Sequence, residues 1–448
     1  MKFAAIVVVL FSLALILPAS AETSLDRAKV DAYIQPYIDI GAFSGAVLVA
    51  QGGKILVSKG YGMANYELLV PNTPRTKFHL ASISKTFTAA AIMMLQQRGL
   101  LSVNDPLSKF IPDYPNGEKI KLYHLLGNTS GIHNANDLPD YDKQSRFPHT
   151  TADLIAMFKN LPLDFNPGEK DDESASNFNL LAYIIEKQSG MSYGEFLRKN
   201  IFEPLGMNDT GHDGDAEAIL LNRADGYNPT RINQLRKVPY MDWSIKTGNG
   251  SIYSTVEDLY KWDRALYTDK ILDKSAIETM FTKEYGWYKD KRANHDTIRM
   301  SGRSPGFQTE FQRYLPEDAC VIVLGNNYTP TSTVIGSDLA AMLLGEKYEP
   351  MNVHKPVAVA PKILQSYSGR YQFGQDFYVP GGIYRIEVKA GDLVISEEGF
   401  EAILLPQSDT EFFLMRFWCT ISFGKSSEGE VLFWQYGSRK FSAKKLPG

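Results

Sequence analysis

The stretch GAVLVAQGGKILVSKGYG, residues 45–62, limits the possible folds of this chain more than any other feature. Two β-branched, apolar runs flank Gly52-Gly53, which reads as a strand, a tight turn and a second strand. The same signature returns far downstream in FQTEFQRYLPEDACVIVLGN, where two strand-like runs are joined by a Pro-Glu-Asp turn. An amphipathic helix over residues 24–39 precedes the first hairpin, and a helix around Gly336 to Leu344 follows the last strands. From about residue 100 to 245 the pattern is helices and loops, including NLLAYIIEKQSG, which Gly190 closes. Strands, helices, strands again and a closing helix indicate an α/β domain with a helical insert.

The two ends of the chain add further units. MKFAAIVVVLFSLALILPASA carries a lysine, an apolar run of about fifteen residues and the small-x-small site Ala19-Ser20-Ala21, so residues 1–21 read as a cleavable signal peptide. The run is short for a membrane span and no lipobox cysteine follows it. A secreted or periplasmic mature chain starting near Glu22, with no membrane span after cleavage, is therefore expected. The main domain occupies residues 22–345. Residues 346–362, EKYEPMNVHKPVAVAPK, form a proline-punctuated linker, and residues 363–448 alternate short strand-like runs with turns, as in a small all-β domain.

Composition excludes several function classes. A net charge of -4 offers no basic field for nucleic acid. The seven histidines show no metal-ligand spacing, so neither a metal nor a cofactor is expected. Acidic GHDGDAE, from Gly211, lacks calcium-loop spacing and reads as a solvated turn. Cys320 and Cys419 fall in different domains and read as buried free thiols. FFLMRFW, near the end, reads as β-domain core.

FHLASISKTFTAAAIMML places Ser82 three residues before Lys85, at the start of a helix. Residues three apart share a helical face, so the hydroxyl and the amine could meet. A serine becomes nucleophilic only when a base takes its proton, and a lysine serves only if its pKa falls from about 10.4. The spacing alone decides nothing, because Ser442 and Lys445 repeat it near the C-terminus.

Context singles out Ser82. FHLASISKTFTAAAIMMLQQRGLLSVNDPLSKFIPDYP is followed in order by YHLLGNTSGI, NPGEK, LLAYIIEKQSG, FEPLGMNDT, STVEDLYKWDRAL and SPGF. This succession resembles the serine β-lactamase-like superfamily over roughly residues 25–345, with greatest similarity to its class C β-lactamase, D-Ala-D-Ala carboxypeptidase and esterase branch, which is penicillin-binding-protein-like. The resemblance implies an antiparallel sheet flanked by helices with an all-helical insert, and a barrel-like C-terminal module of the kind often appended in that branch.

It also implies three site motifs, of which Ser82-Ile83-Ser84-Lys85 is intact. Where relatives carry Tyr-x-Asn, ungapped alignment of PGEKDDESASNFNLLAYIIE places Glu173 and Ala175. A shifted register, Ala175-Ser176-Asn177, would recover only the asparagine. The third motif, a basic residue followed by Thr or Ser and Gly, matches Met300-Ser301-Gly302-Arg303, with Met300 in the basic position. Lys246-Thr247-Gly248 lies upstream of the late strands, and Lys246 reads as an exposed loop lysine. By resemblance, the backbone N–H groups of Ser82 and Arg303 form the oxyanion hole, within a groove that includes Ser301 and Gly302.

Two function classes follow. One is a secreted serine hydrolase acting through acyl-Ser82, with Lys85 and Glu173 as catalytic partners, on a small-molecule or peptide ester or amide. Without the basic residue of the third motif, a neutral and hydrophobic substrate is expected. The other is a weak or inactive relative that binds a cell-wall peptide or other ligand in the retained groove. A carboxylate within about 4 to 6 Å of an ammonium favours the charged form of both, so Glu173 could become the general base or lock the site. Oligomeric state is left open.

Overall fold

The computed structural model describes residues 25–348, 356–397, 400–427, 429–437 and 439–447. The expected signal peptide and residues 349–355 of the expected linker lie outside them. Among the described residues no helix is long and apolar enough to cross a membrane.

The two hairpin signals meet in one antiparallel sheet. Its order is Tyr288–Arg292, His295–Ser304, Phe307–Tyr314, Ala319–Gly325, Gly45–Gln51 and Lys54–Tyr61. The pairing Gly45↔Gly325 through Gln51↔Ala319 joins the first strand of the chain to the last strand of the sheet. Both strands are almost wholly buried because both faces are covered. Side chains alternate across a strand. Val47 and Val49 therefore pack with Ile335 and Leu339 of the helix Thr331–Leu344 and with Val30 and Ile34 of the helix Arg27–Asp39. Ala46 and Leu48 face the other cluster, which includes Phe87, Trp262 and the helical insert. The helix that closes the main domain starts at Thr331, directly after Pro330 and five residues before its sequence-based start.

The insert is not purely helical. Tyr227–Arg231 and Gln234–Lys237 form a hairpin that turns at Asn233 with positive φ. Pro229 inside the first strand masks its sequence signature. A helix Pro361–Ser366 leads into a closed barrel of eight strands from Gly369–Phe373 to Arg439–Lys445. Cys320 and Cys419 are both free and buried.

The aromatic run near the end divides its work. Phe412 and Leu414 fill the barrel core, whereas Met415, with Leu405, packs on Ile40 and Ala42 of the main domain. Trp418 stacks on Tyr37 at 5.6 Å. Alternation along the strand thus sends Phe412 and Leu414 into the barrel and Phe413 and Met415 outward onto the main domain.

Candidate active site

Ser82 lies in a short 3-10 turn, Ala81–Ile83, that runs directly into the helix Ser84–Gln97. Ala81, immediately before it, holds a positive φ of 49°, a costly conformation for a residue with a Cβ. Neighbouring strands press on this turn. Thr309 Oγ1 donates to the Leu80 carbonyl at 2.8 Å. Gly302 passes so close that a Cβ there would lie 2.1 Å from the same oxygen and 3.0 Å from the Ala81 Cβ. Only glycine lets Ser301 and Arg303 reach the Ser82 turn.

Around Ser82 opens a cavity of about 300 Å³, whose lining includes Lys85, Glu173, Lys246, Tyr288, Ser301 and Arg303. Ala175, Met300, Asn134, Asn136 and Asn249 complete much of its wall. A larger cavity of about 1040 Å³, near Leu266 and Phe281, contains neither Ser82 nor Lys85.

The two registers for the second motif have different structural consequences. Glu173 and Ala175 line the cavity. Asn177 is buried elsewhere, accepting from Ser130 Oγ at 2.6 Å and donating to Asn128 at 3.2 Å. Lys85 is buried and donates to Glu173 Oε1, while Tyr288 Oη donates to Glu173 Oε2 at 3.3 Å. The Lys85 charge holds the Glu173 carboxyl below its ordinary range, against the opposing effect of burial. Burial, reinforced by Glu173, raises the Tyr288 phenol. Among the described residues the Ser82 hydroxyl makes no side-chain hydrogen bond; Lys85 turns to Glu173 instead.

The structure corrects the sequence-based view of Lys246. It is not an exposed loop residue but is only 8% accessible, and it lies in the same cavity as Ser82. The turn Trp243–Lys246 is pinned at both ends. At its start Asp242 accepts from Ser244, and Trp243 stacks on His79 at 3.6 Å. After it, Asn179 Nδ2 donates to the Thr247 carbonyl at 2.8 Å and Thr88 Oγ1 to the Gly248 carbonyl at 2.7 Å. Helices from both sides therefore draw this loop inward. Asp213, expected in a solvated turn, is likewise buried, bonding His79 Nε2 at 2.8 Å.

Lys246 Nζ donates to Asn136 Oδ1 at 2.9 Å and lies 4.9 Å from the Tyr141 ring centre. Burial, with Lys85 nearby, lowers its pKa to about 8. Tyr288 and Lys246 are the cavity residues that sequence reasoning missed. Tyr288 carries no local signal, whereas Lys246 opens a Lys-Thr-Gly triplet that lies upstream of the late strands. Lys85, Lys246 and Arg303, with Asn134, Asn136 and Asn249, make the lining of this cavity polar.

A family model described as Beta-lactamase matches residues 30–340. Penicillin-binding protein 4* of Bacillus subtilis (strain 168) is 30% identical over 448 residues, covering 89% of this chain and 94% of that protein. The octameric penicillin-binding protein homologue from Pyrococcus abyssi superposes with a TM-score of 0.65 at 24% identity, over 94% of this chain and 100% of its own. The D-amino acid amidase from Ochrobactrum anthropi SV3 gives a TM-score of 0.64 at 19% identity, over 71% of this chain and 97% of its own. These last two likenesses are likenesses of fold.

Proposed function

Since the chain belongs to the β-lactamase family, a family of serine hydrolases, we propose that it hydrolyses a small polar amide or ester through an acyl group carried on Ser82. The placement of Ser82 carries this assignment: it sits on a strained turn at a helix start, in a cavity with Lys85, Glu173, Lys246 and Arg303. Ser82 Oγ attacks the substrate carbonyl carbon, the carbonyl π electrons move to oxygen, and the backbone N–H groups of Ser82 and Arg303 receive that oxyanion. Collapse expels the amine or alcohol, and water then releases the acid. The polar wall selects a substrate with hydrogen-bonding groups next to the scissile bond. A D-amino acid amide and a penicillin are both suitable probes, given the proteins this chain resembles. Ala19-Ser20-Ala21 supports export of the enzyme.

One observation favours a binding protein instead. An ammonium held in an ion pair has no lone pair to offer Ser82, and Lys85 is so held. Mass spectrometry after exposure to a fluorophosphonate and to a penicillin separates the two possibilities. The hydrolase gives one adduct, on Ser82, that Ser82→Ala abolishes. An unlabelled wild type without ester or amide turnover would establish the binding protein.

A further inference from the structure

We propose that Lys246, from the turn after Trp243, is the proton acceptor for the Ser82 hydroxyl, while Lys85 and Glu173 serve as a fixed ion pair beside it. This rests on Ser82 being the acylated residue.

The first support is position. Gly250 lies between Lys246 and the nucleophile turn. A methyl group at Gly250 would stand 3.4 Å from Lys246 Cβ, 3.6 Å from its Cδ and 3.6 Å from Ala81 Cα. The Lys246 stem therefore runs alongside the residue that precedes Ser82, and both side chains open into one cavity. A general base acts at hydrogen-bond reach or through one water, and this cavity has room for either.

The second support is electrostatic. The amine of Lys246 has a neutral partner, Asn136, and among the described residues no carboxylate pairs with it. Burial disfavours its charge, and so does the nearby Lys85 ammonium, which bonds Glu173, itself bonded by Tyr288. Asp142 and Asp137 act in the opposite sense, Arg303 lines the same cavity, and Tyr141 presents its ring face. The balance leaves the Lys246 pKa at about 8, so a useful fraction of free amine exists near neutral pH. A buried lysine without an anionic partner is costly for a fold to keep, and such groups cluster where chemistry uses them.

The proton balance is simple. The Lys246 lone pair takes the Ser82 proton as Oγ bonds to the carbonyl carbon. The resulting ammonium returns that proton to the departing amine or alcohol as the carbon–heteroatom bond breaks. In deacylation the amine takes a proton from water, and the ammonium restores it to Ser82 Oγ as the acyl bond opens.

The test compares the full chain with Ser82→Ala, Lys246→Arg and Lys246→Met, by fluorophosphonate labelling rate and p-nitrophenyl acetate turnover from pH 6 to 10. Expected is a wild-type labelling rate that climbs to a plateau with a midpoint near pH 8. Both Lys246 variants should lose about 10²-fold or more and lack that midpoint. Lys246→Arg keeps the charge but cannot accept a proton, so normal labelling in it would reassign Lys246 to holding a substrate anion and overturn the proposal. A wild-type rate that is flat from pH 6 to 10 would also overturn it, whatever the folding of the variants. Labelling that survives Ser82→Ala strikes instead at Ser82 as the nucleophile.

Discussion

Lys85, the lysine of the Ser82 motif, donates to Glu173 rather than to the serine. Removing the carboxylate takes a negative charge from a cavity that also holds Lys246, and a buried ammonium with less negative charge around it loses its proton more readily. Glu173→Gln should therefore move the midpoint of the labelling profile to lower pH, by about half a unit or more, and keep the plateau within about tenfold. Were Glu173 itself the base, the plateau would fall by about 10²-fold or more. A pH series of labelling rates on the two proteins distinguishes these outcomes.

Lys246 should also show a trade between stability and activity. Its pKa in the fold is about 8, against about 10.4 for an unfolded lysine. Below pH 8 both states hold the proton, and the folded state bears the cost of a buried charge. Between about pH 8 and 10.4 the unfolded chain binds more protons, so stability rises with pH across that window. Lys246→Met removes the cost at pH 7 but also the bond to Asn136, for a net gain on the order of 1–2 kcal/mol. Thermal unfolding should show a Tm raised by about 2–6 °C at pH 7 and a smaller difference at pH 10. A Tm lowered at pH 7 would show that the bond to Asn136 outweighs the cost of the buried charge.

How much could be read in advance followed from how local the signals were. The two hairpins, the Ser82 helix and the all-β tail announce themselves by periodicity and turn residues, and the sheet brings them together as their patterns imply. Glu173 was reachable because two sequence anchors bracket it. Lys246 and Tyr288 were not, because each enters the cavity through distant contacts. His79, Thr88 and Asn179 fold the Lys246 loop inward, and a strand at the sheet edge carries Tyr288. No spacing rule encodes such contacts. The same holds for the barrel, whose aromatic run looks like core but half of which docks on the main domain.

That docking reaches the active site. The Arg303 guanidinium lies 4.7 Å from the Tyr328 ring centre and 5.3 Å from that of Phe417, a barrel residue. A cation–π contact of this kind contributes about 0.5–2 kcal/mol. Phe417→Ala should loosen Arg303 and raise KM about two- to tenfold on a polar amide, with kcat and the fold little changed. Phe417→Tyr, which keeps a ring face, should restore KM. Equal KM in wild type and Phe417→Ala would show that the barrel has no part in substrate binding.

The Lys-Thr-Gly turn offers the sharpest positional test. Gly248 holds φ at 89°, and a Cβ there would lie 2.1 Å from the Phe178 carbonyl oxygen and 2.9 Å from the Ala182 Cβ. The loop could accept a side chain only by withdrawing from the helix Ala175–Ser189, which would carry Lys246 away from Ser82. Gly190 provides the control, since it has φ of 70° but nothing within 4 Å of a Cβ. Both alanine variants bear the left-handed strain of about 1 kcal/mol. Only Gly248→Ala adds the clash, so it should lose about 2 kcal/mol or more of stability and slow labelling by about tenfold or more. Gly190→Ala should label at the wild-type rate. Denaturant unfolding and labelling rates measured side by side decide the matter: equal labelling in the two variants would mean that the turn after Lys246 does not position it.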